Sequence, residues 1–160
     1  MLSMKNNDQS FLKRAVEIAG NGIKEGAGPF GAVVVKDGKI IAEANNRVVL
    51  SHDPTAHAEV IAIRKASAVL KNHNLSGCII YTSCEPCPMC LGAVYWAGIR
   101  KVVYASDRHD AAASGFNDSM IYDELLLKPG KRKITFLHLP DAGGEKVFKQ
   151  WDEYENKAPY

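Results

Sequence analysis

The chain has 160 residues, of which 46% are hydrophobic and 24% charged, the composition of a water-soluble globular protein. A chain of this length buries roughly 70% of its unfolded surface in one core, which leaves no room for a second domain. A net charge of +2 gives no strong electrostatic case for nucleic acid or a membrane surface, no apolar run approaches a membrane span, and Met1 to Ser10 lacks the apolar stretch of a secretory signal, so the cytoplasm is the expected compartment.

Phe11, Ala15, Ile18, Ala19 and Ile23 recur at three- and four-residue spacing, which predicts an amphipathic helix from Ser10 to about Glu25, ended by Gly26 and Gly28-Pro29. Two apolar runs, Gly31 to Val35 and Ile40 to Ala44, flank Asp37-Gly38, the preferred chemistry of a tight hairpin. Asp53-Pro54 offers a cap and a first-turn proline for a helix starting just before His57 and running to about Leu70. Cys78 to Tyr81 reads as a buried strand, and Pro86 to Pro88 turns the chain into a helix through Leu91, Val94, Tyr95 and Trp96. Lys101 to Ala105 is another strand, followed from Ser106 to Ser119 by a small, polar stretch expected to be a loop serving the site. Ile134 to Leu139 is expected as a last strand, and Val147, Phe148, Trp151 and Tyr154 mark one face of a C-terminal helix. The order predicts an α/β protein of three layers, α/β/α, with a mixed sheet of about five strands.

Three of the four cysteines, Cys84, Cys87 and Cys90, lie too close together to staple distant parts of a core, and in a reducing compartment such clustering argues for metal. His57, Cys87 and Cys90 are the expected ligands of one Zn²⁺ ion, three protein donors that leave a fourth place for water. Both ligand-bearing helices should begin at the carboxyl ends of strands, where helix dipoles favour thiolates. Glu59 is the expected proton carrier. Residues two apart on a helix face different sides, and a solvated glutamate is the plain alternative; in the first turn, however, an ion lying beyond the helix end can be approached by both side chains. A closed structural site with Cys84 as fourth ligand is the competing arrangement, although it leaves Glu59 without a purpose. Cys78 reads as core. His52, His73, His109 and His138 receive no role, and Lys128, Lys131, Arg132 and Lys133 read as a solvated turn.

The pairing of His57-Ala58-Glu59 with Pro86-Cys87-Pro88-Met89-Cys90 resembles the signature of the zinc base deaminases. The chain resembles the cytidine deaminase-like superfamily from Phe11 to Tyr160, and more closely its bacterial guanine deaminase branch. That branch is marked by Gly28-Pro29-Phe30-Gly31-Ala32, Asp53-Pro54-Thr55, Tyr81 to Glu85, Leu91-Gly92-Ala93 with Tyr95-Trp96, Asp110-Ala111-Ala112, Gly115-Phe116, Asp118-Ser119, Ile121-Tyr122 and the terminal Tyr160. The resemblance implies a zinc-dependent hydrolase acting on a small purine base, and a homodimer whose C-terminal segments are exchanged. It implies that Phe30 stacks on the base, that Asn46 and the Ala58 backbone hold its polar edge, that Asp118 joins Glu59 among the catalytic residues, and that Tyr160 closes the neighbouring pocket. Deamination of a nucleoside, of cytosine or of adenosine in tRNA shares the same zinc chemistry. A non-catalytic zinc-stabilised interaction module is the alternative of another class.

Overall fold

Asp37 and Gly38 both take left-handed backbone angles, φ 49° and 73°, as a two-residue type I′ hairpin requires. They join β1 (Gly31–Lys36) to β2 (Lys39–Asn45), and α1 (Leu2–Lys24) precedes the pair. The computed structural model describes the backbone of residues 2–158 and the side chains of residues 7–158. A short helix, α2 (Val48–Ser51), leads to α3 (Ala58–Leu70), β3 (Cys78–Cys84), α4 (Pro88–Trp96), β4 (Lys101–Ser106) and α5 (Arg108–Ala113). These elements form one compact unit ending at Asp118, and a second unit from Ser119 holds α6 (Ser119–Leu126) and α7 (Gly144–Glu153).

The sheet order is β2-β1-β3-β4. β1 is antiparallel to both neighbours, and β3 and β4 run parallel through the α4 crossover. Alternation along β1 divides the core, as a period of two must. Ala32 and Val34 pack with Ala42, Ile80, Ala62 and Val94 beneath α3 and α4. Val33 and Val35 meet Tyr81 and Ala15 on the α1 side. The first unit is therefore the expected three-layer α/β/α arrangement. Gly31 makes the α1 contact possible: a Cβ there would lie 2.2 Å from the Ala15 carbonyl oxygen.

The mixed sheet has four strands, fewer than the five expected. Ile134 to Leu139 forms no strand, because among the described residues the unit from Ser119 onward contains no other strand to pair with it, and β propensity alone does not make a ladder. α3 starts one residue after His57, and Asp53 does not cap it. Its carboxylate instead accepts the Thr55 N–H at 2.8 Å in a local turn. The expected 106–119 loop contains α5, capped by Asp107, which accepts the N–H groups of His109 and Asp110 while Asp110 reaches back to the Asp107 N–H. The C-terminal helix lies where the sequence places it, with Tyr154 as its last cap.

The register gathers the site at one end of the sheet. Gly31 pairs with Asn45, Ala32 with Thr82, and Cys84 with Ser106, so the start of β1 and the carboxyl ends of β2, β3 and β4 share an edge. Phe30 immediately precedes β1, and Asn46, Glu85 to Cys87 and Asp107 follow directly from the ends of β2, β3 and β4.

Candidate metal centre and active site

His57 caps α3 and Cys87 caps α4, both in extended backbone, and Pro88 fills the first helical turn behind Cys87. A proline is at home there because its missing N–H is one of the unpaired donors of a helix start. The two helix starts converge. His57 Nδ1 is 3.6 Å from Cys87 Sγ and 3.4 Å from Cys90 Sγ, and the two sulfurs are 3.6 Å apart. These three form the His/Cys/Asp/Glu group able to hold a metal among the described residues.

The donor set fits zinc. Tetrahedral coordination with Zn–S of about 2.3 Å and Zn–N of about 2.0–2.1 Å needs sulfur–sulfur and sulfur–nitrogen edges of roughly 3.8 and 3.6 Å. The observed triangle matches this within about 0.2 Å. Its charges point the same way. The Cys90 thiol beside it and then His57 pull the Cys87 thiol down to about 4. The Cys90 thiol is pushed far up by the neighbouring Cys87 sulfur and by burial. Holding both sulfurs as anions calls for a cation at the centre of the triangle.

Glu59, in the first turn of α3, is buried, with 6% of its surface exposed. Cys90 Sγ donates to its Oε2 at 3.4 Å. Burial raises its carboxyl above the usual carboxylate range, the direction expected of a group that holds and releases a proton near neutral pH. His57 is raised by its hydrogen bond with Cys87. Cys84 stands apart from this cluster. Its thiol donates to the Asp107 carbonyl at 3.4 Å and burial pushes it up to about 11.

Beside the metal group lies a second cluster. Asn46 is buried; its N–H donates to the Phe30 carbonyl at 2.9 Å, and its Oδ1 accepts the Val48 N–H at 3.1 Å. The Arg47 N–H donates to Ala56 at 2.9 Å and ties this strand end to the His57 loop. Ala58 is fully buried at the first position of α3. Phe30 is half-buried and meets Phe116 edge-on, with ring centroids 4.9 Å apart and planes at 87°. Asp118 is half-buried two residues past Phe116 and outside the metal-holding group. Tyr160 lies outside the described residues.

The sequence reading missed two contributors here. One is the pairing of Phe30 with Phe116, which no local pattern announces. The other is the Glu85 carboxylate, which takes the Arg108 fork at 2.7 and 3.3 Å and the Arg108 backbone N–H at 3.2 Å. The spacing Asp107-x-x-Asp110 is the signal that could have revealed α5, since it spells a reciprocal helix cap.

Residues 5–106, spanning both motif segments, match the cytidine and deoxycytidylate deaminase zinc-binding region. The chain is 53% identical over 155 residues to guanine deaminase of Bacillus subtilis (strain 168), covering 96% of this chain and 99% of that protein. It superposes on a crystal structure of guanine deaminase from Bacillus subtilis with a TM-score of 0.92 at 53% identity, covering 95% of this chain and 98% of that one. The tRNA-specific adenosine deaminase of Aquifex aeolicus is 41% identical over 119 residues, covering 73% of this chain and 77% of that protein. Among the described residues no helix is long and apolar enough to cross a membrane. With its zinc-type triangle on two helix starts and a buried glutamate alongside, the chain belongs to the zinc-binding cytidine and deoxycytidylate deaminase family.

Proposed function

We propose that the protein is a guanine deaminase, hydrolysing guanine to xanthine and ammonia in the cytoplasm as part of purine catabolism or salvage. The carrying observation is the 53% identity to a guanine deaminase over 155 residues, a length that takes in nearly all of the C-terminal segment. The match to a tRNA-specific adenosine deaminase leaves more than a quarter of this chain unaccounted for. The shared part carries the chemistry, and the remainder carries the choice of substrate.

His57, Cys87 and Cys90 hold one zinc. Bound there, zinc acidifies water to a pKa of about 7. Glu59 accepts a proton from the attacking water as its oxygen bonds to C2 of the purine, and delivers that proton to the adjacent ring nitrogen. It then takes the proton of the new C2 hydroxyl and passes it to the departing 2-amino group, so that the C2–N bond breaks, the C2 carbonyl forms and ammonia leaves; one carboxyl thus serves as base and acid in a single cycle. Phe30 stacks on the base. The Asn46 oxygen is taken by the Val48 N–H, which leaves its amide nitrogen to donate to the guanine carbonyl, and the Ala58 backbone meets the same polar edge. Asp118 takes part in catalysis and Tyr160 closes the pocket of a partner subunit, in a homodimer that forms one domain per chain with exchanged C-terminal segments. A pocket built to pair the polar groups of guanine rejects bases that leave them unmatched.

The test is ammonia release from guanine, guanosine, cytosine, adenine and an adenosine-bearing tRNA hairpin, with the full chain and with Tyr160 deleted. Guanine is expected to be the preferred substrate and the deletion to lower its turnover without unfolding the protein. Guanine left inert while another substrate reacts sinks the substrate assignment, and equal rates for the two proteins remove Tyr160 from the site.

A further inference from the structure

Phe30 belongs to a loop, and a ring that must stack on a flat base has to be held in one attitude. Phe116 provides that hold: its ring meets Phe30 edge-on at 4.9 Å and 87°, the arrangement that the aromatic quadrupole favours. What holds Phe116 can be followed residue by residue. α5 is capped at its end by Ser114, Gly115 turns the chain with φ 91°, and the Phe116 N–H returns to the Ala111 carbonyl at 3.0 Å. At its other end α5 is fastened to the metal-bearing turn. The Glu85 N–H donates to Ser106 at 2.8 Å, and the Glu85 carboxylate, two residues before Cys87, receives three N–H groups of Arg108 at 2.7 to 3.3 Å. A guanidinium fork on a carboxylate fixes orientation as well as distance.

We propose that Arg108 is a positioning residue which, by docking α5 on Glu85, sets Phe116 against Phe30 and so tunes the affinity of the purine slot. The inference rests on the assignment of Phe30 to base stacking in the preceding section. The route from Arg108 runs through the Glu85 carboxylate and α5 to the Phe116 ring, so its effect is expected in substrate binding and not in the proton transfers.

The experiment measures kcat and KM for guanine, with zinc content, for the wild-type protein, Arg108→Met, Phe116→Leu, the double variant and Phe116→Tyr. Losing one edge-on aromatic pair corresponds to about a three- to tenfold change in an equilibrium. KM is expected to rise by about that factor in Phe116→Leu and by a similar or smaller factor in Arg108→Met, with kcat within about twofold and one zinc per chain retained. Phe116→Tyr, which keeps the ring edge, is expected to restore the wild-type KM. Because Arg108 acts through Phe116, the double variant is expected to be no worse than Phe116→Leu alone. A KM unchanged in either single variant, or effects that multiply in the double variant, overturns the proposal. A wild-type protein inert toward guanine overturns the function assignment instead, so the two failures are distinguishable.

Discussion

Glu59 and His57 stand two positions apart, and their cooperation depends on where the helix begins. His57 is the cap of α3, outside the helical turn, and Glu59 is inside it, so the ordinary rule that such residues face different sides does not separate them. The nucleus of the site is thus set by a one-residue boundary. Glu59→Gln preserves volume and a hydrogen-bonding end but cannot carry a proton. Its expected outcome is a fall in guanine turnover of about 10²- to 10⁴-fold, with zinc content unchanged by elemental analysis; near wild-type turnover with zinc in place removes Glu59 from the mechanism. Cys84 offers a second discrimination. Its sulfur is committed to the Asp107 carbonyl, so Cys84→Ala should retain one zinc per chain, whereas Cys90→Ser should lose most of it. Loss of zinc from the Cys84 variant would favour the closed, four-ligand site.

At the scale of elements, α1 is bound to the sheet by charges as well as by its apolar face. The Arg14 fork takes Glu43 of β2 at 2.6 and 2.9 Å, and Asp8 accepts from Lys101 of β4 at 2.7 Å and from the Tyr81 hydroxyl of β3. Lys101 and then Tyr81 hold the Asp8 carboxyl below its ordinary range. A carboxyl depressed in the folded state contributes stability above the unfolded pKa of about 3.9, and that stability is lost as pH falls through the lower folded value. Asp8→Asn should therefore cost about 1 kcal/mol at pH 7, after allowance for solvent exposure of the pair. The difference should shrink below about pH 4, and denaturant titrations at pH 7 and pH 3 test this: an equal gap at both rejects a charge-based role. The sheet's own elements were legible because their signals are local, as with Asp37-Gly38 and the unbroken apolar run that includes Val33, Val34 and Val35. Ile134 to Leu139 misled because its apolar residues satisfy the local pattern while no strand among the described residues pairs with it. α5 carries no helical pattern in the sequence because small residues give little periodicity, and only its Asp107-x-x-Asp110 cap betrays it. The metal ligands could be named from sequence because a histidine and a cysteine pair with these spacings have few other uses, whereas Phe116 reaches Phe30 across 86 positions of chain, beyond any pattern read along it.

On the whole-molecule scale the difficulty lies in the segment from Ser119. No side chain between residues 119 and 158 is fully buried, although Leu126, Ile134, Leu137 and Phe148 are large, apolar and exposed. Segments near about 40 residues rarely assemble a sufficient core alone. α7 adds Val147 and Trp151 to the exposed set, along the face that the sequence marks as apolar. Obligate homodimer interfaces resemble a domain core cut in half, and a second copy of the chain is the partner that supplies the other half in the proposed exchange. The full-length protein is therefore expected to sediment at twice its chain mass at micromolar concentration. Phe148→Glu combined with Trp151→Glu should move that equilibrium toward monomer, because a charge placed in a desolvated aromatic contact finds no partner. Zinc content should survive in the variant, since His57, Cys87 and Cys90 all lie in the unit that ends at Asp118. Guanine turnover should fall as the dimer is lost, because in the proposed exchange the tyrosine that closes each pocket is supplied by the other chain. A monomer that keeps full activity would show that each pocket is complete within one chain, and it would return the C-terminal segment to a purely structural part.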